Sequence, residues 1–157
     1  MRLLEHDTRT SSAGDGTAGW LDAIETAFGP FALCDRDPDR FAGRLRQERR
    51  NDFRFIELEY AGHGFQRRRR DVSRLDDPYC SLIRPTRGRL MHNQNGEART
   101  LEPGRFYVIN HAIPYQTRPE LAYGVEAIAF SPAALESRAP QCHGFHALDG
   151  EIGRAHV

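Results

Sequence analysis

From Phe53 to Phe130 the chain is cut by turn signals into short segments, and this spacing constrains the fold more than any other feature. Asn95-Gly96, Pro103-Gly104 and Ile113-Pro114 are turn pairs, and Gly62 with Gly64 marks another break. Between them stand candidate strands at Phe53–Tyr60, Tyr79–Arg84, Arg89–Gln94, Glu97–Glu102, Phe106–Asn110, Pro114–Thr117 and Tyr123–Phe130. The first alternates strongly, with Ile56, Leu58 and Tyr60 opposing Glu57 and Glu59. Many short strands joined by regular turns form a sandwich or a barrel.

Two helices flank this region. Trp20, Ile24 and Phe28 recur every four residues, which predicts a helix over Ala18–Phe28 with Thr17 as its cap and Gly29-Pro30 as its stop. Ser131 caps a second helix that opens at Pro132. Residues 1–17 are polar and read as a flexible arm. The four arginines Arg67–Arg70 read as an edge strand or hairpin whose side chains point both ways, since Asp71, Asp76 and Asp77 follow them.

The composition narrows the function. The chain has 157 residues, room for one domain with a real core. Lys plus Arg is 22 and Asp plus Glu is 22, giving a formal net charge of zero. A segment without basic surplus does not bind nucleic acid by itself. No apolar run is long enough to cross a bilayer, and residues 1–19 lack the apolar stretch of a secretion signal. Cys34, Cys80 and Cys142 are widely spaced and odd in number, which fits reduced thiols in a cytoplasmic protein and not a disulfide framework or thiolate metal site. No nucleophile elbow, phosphate-binding loop or dinucleotide fingerprint occurs.

The ordered set of segments resembles the ligand-binding domain of AraC-type transcription regulators, in the AraC-binding-like variant. The resemblance runs from Trp20 to about Pro140. It rests on the entry helix ending in Phe28-Gly29, the segment Phe41–Leu45, the strand with Arg54–Glu59, the arginine run, and the strand Tyr79–Ile83. Gly88, the Asn95-Gly96-Glu97 hairpin, Leu101–Gly104, Pro114-Tyr115 and the strand Val125–Phe130 leading into Ser131-Pro132 complete it. It implies a mainly β fold, a cupin-like (jelly-roll) barrel of antiparallel strands with an N-terminal and a C-terminal helix. It also implies a non-enzymatic domain over residues 18–140 that senses a small effector, contributes to dimerisation, and works with a C-terminal pair of helix-turn-helix units. Those units lie outside this chain. Residues 141–157 read as a tail, and Glu151–Val157 resembles a translated sequencing-library adapter, so this segment is expected to pack against nothing specific. Partners would be a small polar or anionic effector, a second copy of the chain, and DNA through the absent half only. A stand-alone cupin enzyme, isomerase or dioxygenase, and a bare small-molecule-binding cupin module are the alternatives.

The resemblance bears on metal chemistry too. Cupins often ligate a metal with two histidines one residue apart, a glutamate a few residues on and a later histidine. Here His92 and Glu97 fit, but Gln94 stands where the second histidine would be and Tyr115, Gln116 and Thr117 where the third would fall. His111 is out of register. No metal and no cofactor is expected. His143 and His146 could bind a metal or simply belong to an exposed linker.

A two-residue type I′ turn at Asn95-Gly96 would set Gln94 opposite Glu97, His92 opposite Arg99 and Leu90 opposite Leu101. His92 and Arg99 then form either part of a ligand-facing wall suited to an anionic or hydroxyl-rich molecule, or a solvated pair at the hairpin's end. Asn110 and Tyr115 flank the Ile113-Pro114 turn and would close the pocket. His92, Arg99, Asn110 and Tyr115 are thus the candidate ligand-binding residues. Trp20, Tyr60 and Tyr107 are either core or stacking aromatics.

Overall fold

The computed structural model describes residues 2–10, 16–138 and the backbone of 151–154. The elements are, in chain order, β1 (Arg2–Asp7), α1 (Thr17–Phe28), β2 (Ala32–Cys34), β3 (Ala42–Arg50), β4 (Phe53–Ala61), β5 (Gly64–Arg67), α2 (Arg69–Val72), β6 (Cys80–Arg87), β7 (Leu90–Gln94), β8 (Glu97–Leu101), β9 (Arg105–Asn110), β10 (Tyr115–Pro119), β11 (Tyr123–Phe130), α3 (Pro132–Arg138) and β12 (Glu151–Arg154).

The strands form a seven-stranded sheet in the order β1-β3-β4-β11-β6-β9-β12 and a five-stranded sheet in the order β2-β5-β10-β7-β8. Every pairing is antiparallel. The inward residues of both sheets fill the core: Leu45 of β3, Ile56, Leu58 and Tyr60 of β4, Ile83 of β6, Val125 and Ala129 of β11 from one side, and Phe65, Leu90, Leu101 and Tyr115 from the other. Each large apolar side chain so buried stabilises by roughly 1.5–3 kcal/mol. This is the mainly β, cupin-like barrel with helices near both ends that the sequence predicts.

The outer face of the larger sheet is divided. Near α3, Leu135 packs against a second cluster of Cys80, Val108 and Phe130 with Phe53, Leu82 and Ile128. Elsewhere charge covers it: Arg46 pairs with Glu5 at 3.2 Å and Glu57 at 3.8 Å, and Arg44 with Glu59 at 3.7 Å. β3 alternates Gly43, Leu45 and Gln47 inward with Arg44 and Arg46 exposed, and these pairs settle Arg44 and Arg46 on the outer face.

Helix α1 docks through Trp20 and Ile24, both fully buried, with Phe28 partly so. Gly43 of β3 makes room for it. A Cβ there would stand 2.5 Å from the indole ring, so only glycine lets the helix lie this close.

Several expectations need correction. Arg2–Asp7 is not a free arm: it pairs with β3 over its whole length. Its signal was hidden because β1 lies at an edge and buries little. Thr17 lies inside α1, whose N-cap is Gly16 and carries no side-chain cap. The arginine run is divided: Arg67 ends β5 fully buried, Arg68 chelates Asp71 at 2.7 and 3.0 Å, and Arg69 and Arg70 are exposed on α2. Glu151–Arg154 pairs with β9, contrary to the expectation that this segment packs against nothing. Ser131, by contrast, caps α3 as read, accepting from the Ala134 amide at 3.1 Å. Cys142, His143 and His146 lie outside the described residues.

Candidate functional site

The hairpin β7–β8 has the register its turn dictates. Asn95 and Gly96 have φ of 55° and 76°, the double positive of a type I′ turn, and Leu90, His92 and Gln94 face Leu101, Arg99 and Glu97. Alternation then sends Leu90, His92 and Gln94 inward, and all three are buried.

The two sheets enclose an apolar cavity of about 90 Å³. His92 lines it from β7, Tyr115 and Thr117 from β10, Tyr123, Val125 and Ala127 from β11, and Ile24 and Phe28 from α1. Inward alternation along β10 and β11 places these residues. Apolar side chains dominate the wall, and no Arg, Asp or Glu is among its residues.

Most polar groups on the wall satisfy one another. His111 lies between Ser81 and Tyr115: its Nε2 is 2.6 Å from the Ser81 hydroxyl and its Nδ1 3.0 Å from the Tyr115 hydroxyl. Burial, with Arg67 nearby, holds the His111 imidazole well below its usual range, so this chain of three carries no charge. The Thr117 hydroxyl accepts from the Phe65 amide at 3.2 Å.

Two groups differ. Neither ring nitrogen of His92 has a partner among the described residues, nor does the hydroxyl of Tyr123. His92 is 1% exposed and Tyr123 2%. They reach the cavity from opposite sheets. An unmet buried polar group costs about 1–3 kcal/mol, so these positions are expensive unless something enters to bond them. Burial and the positive charge of Arg99 lower the His92 pKa to about 4, leaving a neutral ring that offers one donor and one acceptor. The ring stacks on Tyr115 at 5.2 Å and 30°.

Beside the cavity sits Arg67, wholly buried. Its guanidinium donates to the carbonyl of Pro30 at 3.3 Å, to Tyr79 Oη at 3.2 Å, to the His111 carbonyl at 3.4 Å and to the carbonyl of Phe28, and it lies 3.9 Å from the Phe31 ring centre. Arg67 therefore joins the end of α1, the β9–β10 turn and the aromatic wall. A cation at the C-terminal carbonyls of a helix also matches the helix dipole.

Of the four candidate ligand residues, His92 and Tyr115 line the cavity. Arg99 is half-buried opposite His92 but does not reach the wall, and the Asn110 carboxamide is turned to the Ala112 amide at 3.0 Å. Gln94, where a cupin metal site would have a histidine, donates to the carbonyls of Asn110 at 2.8 Å and Ile113 at 3.1 Å and braces the β9–β10 turn. Among the described residues no three His, Cys, Asp or Glu side chains are grouped to hold a metal ion. Tyr60 lines the cavity, while Trp20 and Tyr107 are core residues away from it. Tyr123 escaped the sequence reading, although it shares the inward alternation of Val125 and Ala127. The burial of Arg67 carried no specific signal, because a run whose arginines point both ways does not say which of them turns inward.

Comparison with known proteins agrees with this architecture. Residues 20–146 match the AraC-binding-like domain. The solved structure of the AraC-like transcriptional activator CuxR superposes with a TM-score of 0.71 at 14% identity, covering 89% of this chain and 51% of that one. The chain thus spans about half the length of CuxR. The cupin domain of Schizosaccharomyces pombe Cnp3 (TM-score 0.47, 7% identity, 62% of this chain and 71% of that one) and the Clostridium difficile EutQ protein (0.47, 11%, 62% and 76%) are more distant. None of the curated proteins matches the chain in sequence.

Proposed function

The chain belongs to the AraC-binding-like domain family, and from that premise we propose that it is the effector-sensing and dimerisation domain of an AraC-type transcription regulator. On this reading it is a cytoplasmic, non-enzymatic module. It binds a small molecule between its sheets, pairs with a second copy, and reaches DNA only through a separate C-terminal domain.

One observation carries the sensing role. The cavity holds two buried polar side chains, His92 and Tyr123, whose hydrogen-bonding capacity is unused among the described residues. A bound effector would recover that cost. It would also press on Ile24 and Phe28, and so on α1, which Arg67 connects to the rest of the barrel. An effector that favours one position of α1 shifts the balance between two states by its difference in affinity for them.

The test is thermal unfolding of this chain with fractions of a bacterial metabolite extract. A ligand at a hundred times its Kd adds about 2.7 kcal/mol, or roughly 5–10 °C in Tm for a domain of this size. The rise should vanish in Val125→Phe, which fills the cavity. Should no fraction raise Tm, or should Val125→Phe respond equally, the sensing role is wrong. Light scattering that shows only monomers at every concentration would remove the dimerisation role.

A further inference from the structure

We propose that the molecule this cavity takes is a neutral, single-ring compound with one or two hydrogen-bonding groups, of the phenol or benzyl alcohol kind, paired to His92 and Tyr123. This rests on the reading of the cavity as the effector site and gives that site its ligand chemistry.

Size is the first argument. An apolar cavity of about 150 Å³ accepts benzene. The present one, at about 90 Å³, lies below that and far below the few hundred Å³ of a drug-sized pocket. One ring fits once Ile24 and Phe28 give way with α1. A disaccharide or a nucleotide would need the sheets to separate.

Charge is the second. No ionic side chain lines the wall. Arg67, Arg54 and Arg99 are the cations whose charge reaches the wall histidines, but Arg67 is fully engaged by carbonyls and a tyrosine, Arg54 donates to the Ala27 carbonyl, and Arg99, on the same face of the hairpin as His92, stops short of the wall. A carboxylate brought into this space would lose its water and find no cation on the wall to bond. Of the His92–Arg99 pair, read from the sequence either as a ligand-facing wall or as a solvated pair, His92 alone lines the cavity.

The supply of hydrogen bonds is the third. Ser81, His111 and Tyr115 bond one another, and Thr117 is taken by the backbone of Phe65. His92 and Tyr123 remain. Together they match one hydroxyl, or a hydroxyl and a carbonyl, and not the five or six hydroxyls of a sugar, most of which would be buried unmet. Around them stand the rings of Phe31, Tyr60, Phe65 and Tyr115, flat surfaces that suit an aromatic guest.

Five probes separate the classes: phenol, benzyl alcohol, toluene, benzoate and glucose. Calorimetry on the intact chain should show phenol or benzyl alcohol binding, and nitrogen-15 NMR should show the His92 imidazole resonances moving as it binds. Toluene should bind about tenfold more weakly, the loss of one hydrogen bond, and benzoate and glucose not at all. His92→Leu and Tyr123→Phe should each weaken the hydroxylated ring about tenfold, whereas Arg99→Ala should leave it unchanged. Tyr123→Phe keeps the ring and the packing, so its result stands even if His92→Leu unfolds. Benzoate or glucose binding in preference to phenol, with His92 resonances moving, would overturn the ligand class and leave the effector site standing. If none of the five moves those resonances, or phenol binds equally to Tyr123→Phe, the assignment fails, while the extract experiment above judges the sensing role separately.

Discussion

The indole nitrogen of Trp20 donates a 2.9 Å hydrogen bond to Nε2 of His63. The other ring nitrogen of His63 lies 3.0 Å from the Ala61 carbonyl, so the ring is held with its proton on Nδ1 and its lone pair toward Trp20. One imidazole thus fastens the first turn of α1 to the loop before β5.

That bond requires a neutral ring. Burial lowers the His63 pKa to about 4, from an ordinary 6.5. His92 is likewise lowered to about 4 by burial, and His111 lies well below 6.5. Between pH 6.5 and 4 the unfolded chain therefore binds more protons than the folded one, so these groups contribute stability above pH 6.5 that is lost as the pH falls toward 4. Tm should be flat from pH 8 to 7 and drop steadily below 6.5. Trp20 is the sole tryptophan, so its fluorescence reports the release of α1 directly. His63→Gln, which keeps an acceptor but does not titrate, should flatten part of the slope; an unchanged slope would remove His63 from the account.

Gly43→Ala should cost about 1–3 kcal/mol, since the new methyl would meet the Trp20 ring at 2.5 Å and one of the two must move. Urea denaturation followed through Trp20 measures it. A cost near zero would mean that α1 is free to shift without resistance.

Replacing Arg67 by Met should destabilise by about 3 kcal/mol or more. The side chain keeps its bulk but leaves the Pro30 and His111 carbonyls buried without its donors. Calorimetric unfolding of the variant should show a lowered Tm in a molecule with unchanged strand content. If the stability is unaltered, the buried guanidinium is a spectator.

Gly96→Ala should cost about 1–2 kcal/mol through backbone strain alone, because φ there is 76° and a Cβ would meet nothing within 4 Å. Equilibrium denaturation gives the value. A loss several times larger would show that the turn sets the position of His92 as well as its own geometry.

The sequence was clearest where local chemistry dictates structure. Asn95-Gly96 favours a type I′ turn, and that turn puts His92 opposite Arg99. The alternation of Ile56, Leu58 and Tyr60 likewise assigns its own inner face. It was least clear where structure depends on partners far along the chain. β3 is paired along its length with β4 and with β1, and no window around Arg44–Arg50 contains β1 or the Glu5 that meets Arg46. Arg67 is buried because three carbonyls from distant segments converge on it. The cavity was half legible: His92 and Tyr115 lie on its wall, but register says which residues oppose one another and not how far each side chain extends, so Arg99 was counted in although it stops short.

Ile24 and Phe28 stand four residues apart on one stripe of α1, and both face the cavity. The sheets fix the two hydrogen-bonding positions, while these helical side chains set much of the remaining shape. If the cavity takes the ring compound proposed above, its selectivity for ring substituents would change by exchange at these two codons, neither of which lies in a strand. A lineage of such domains could diversify its chemical repertoire cheaply, and an engineer building a biosensor would randomise those two positions first.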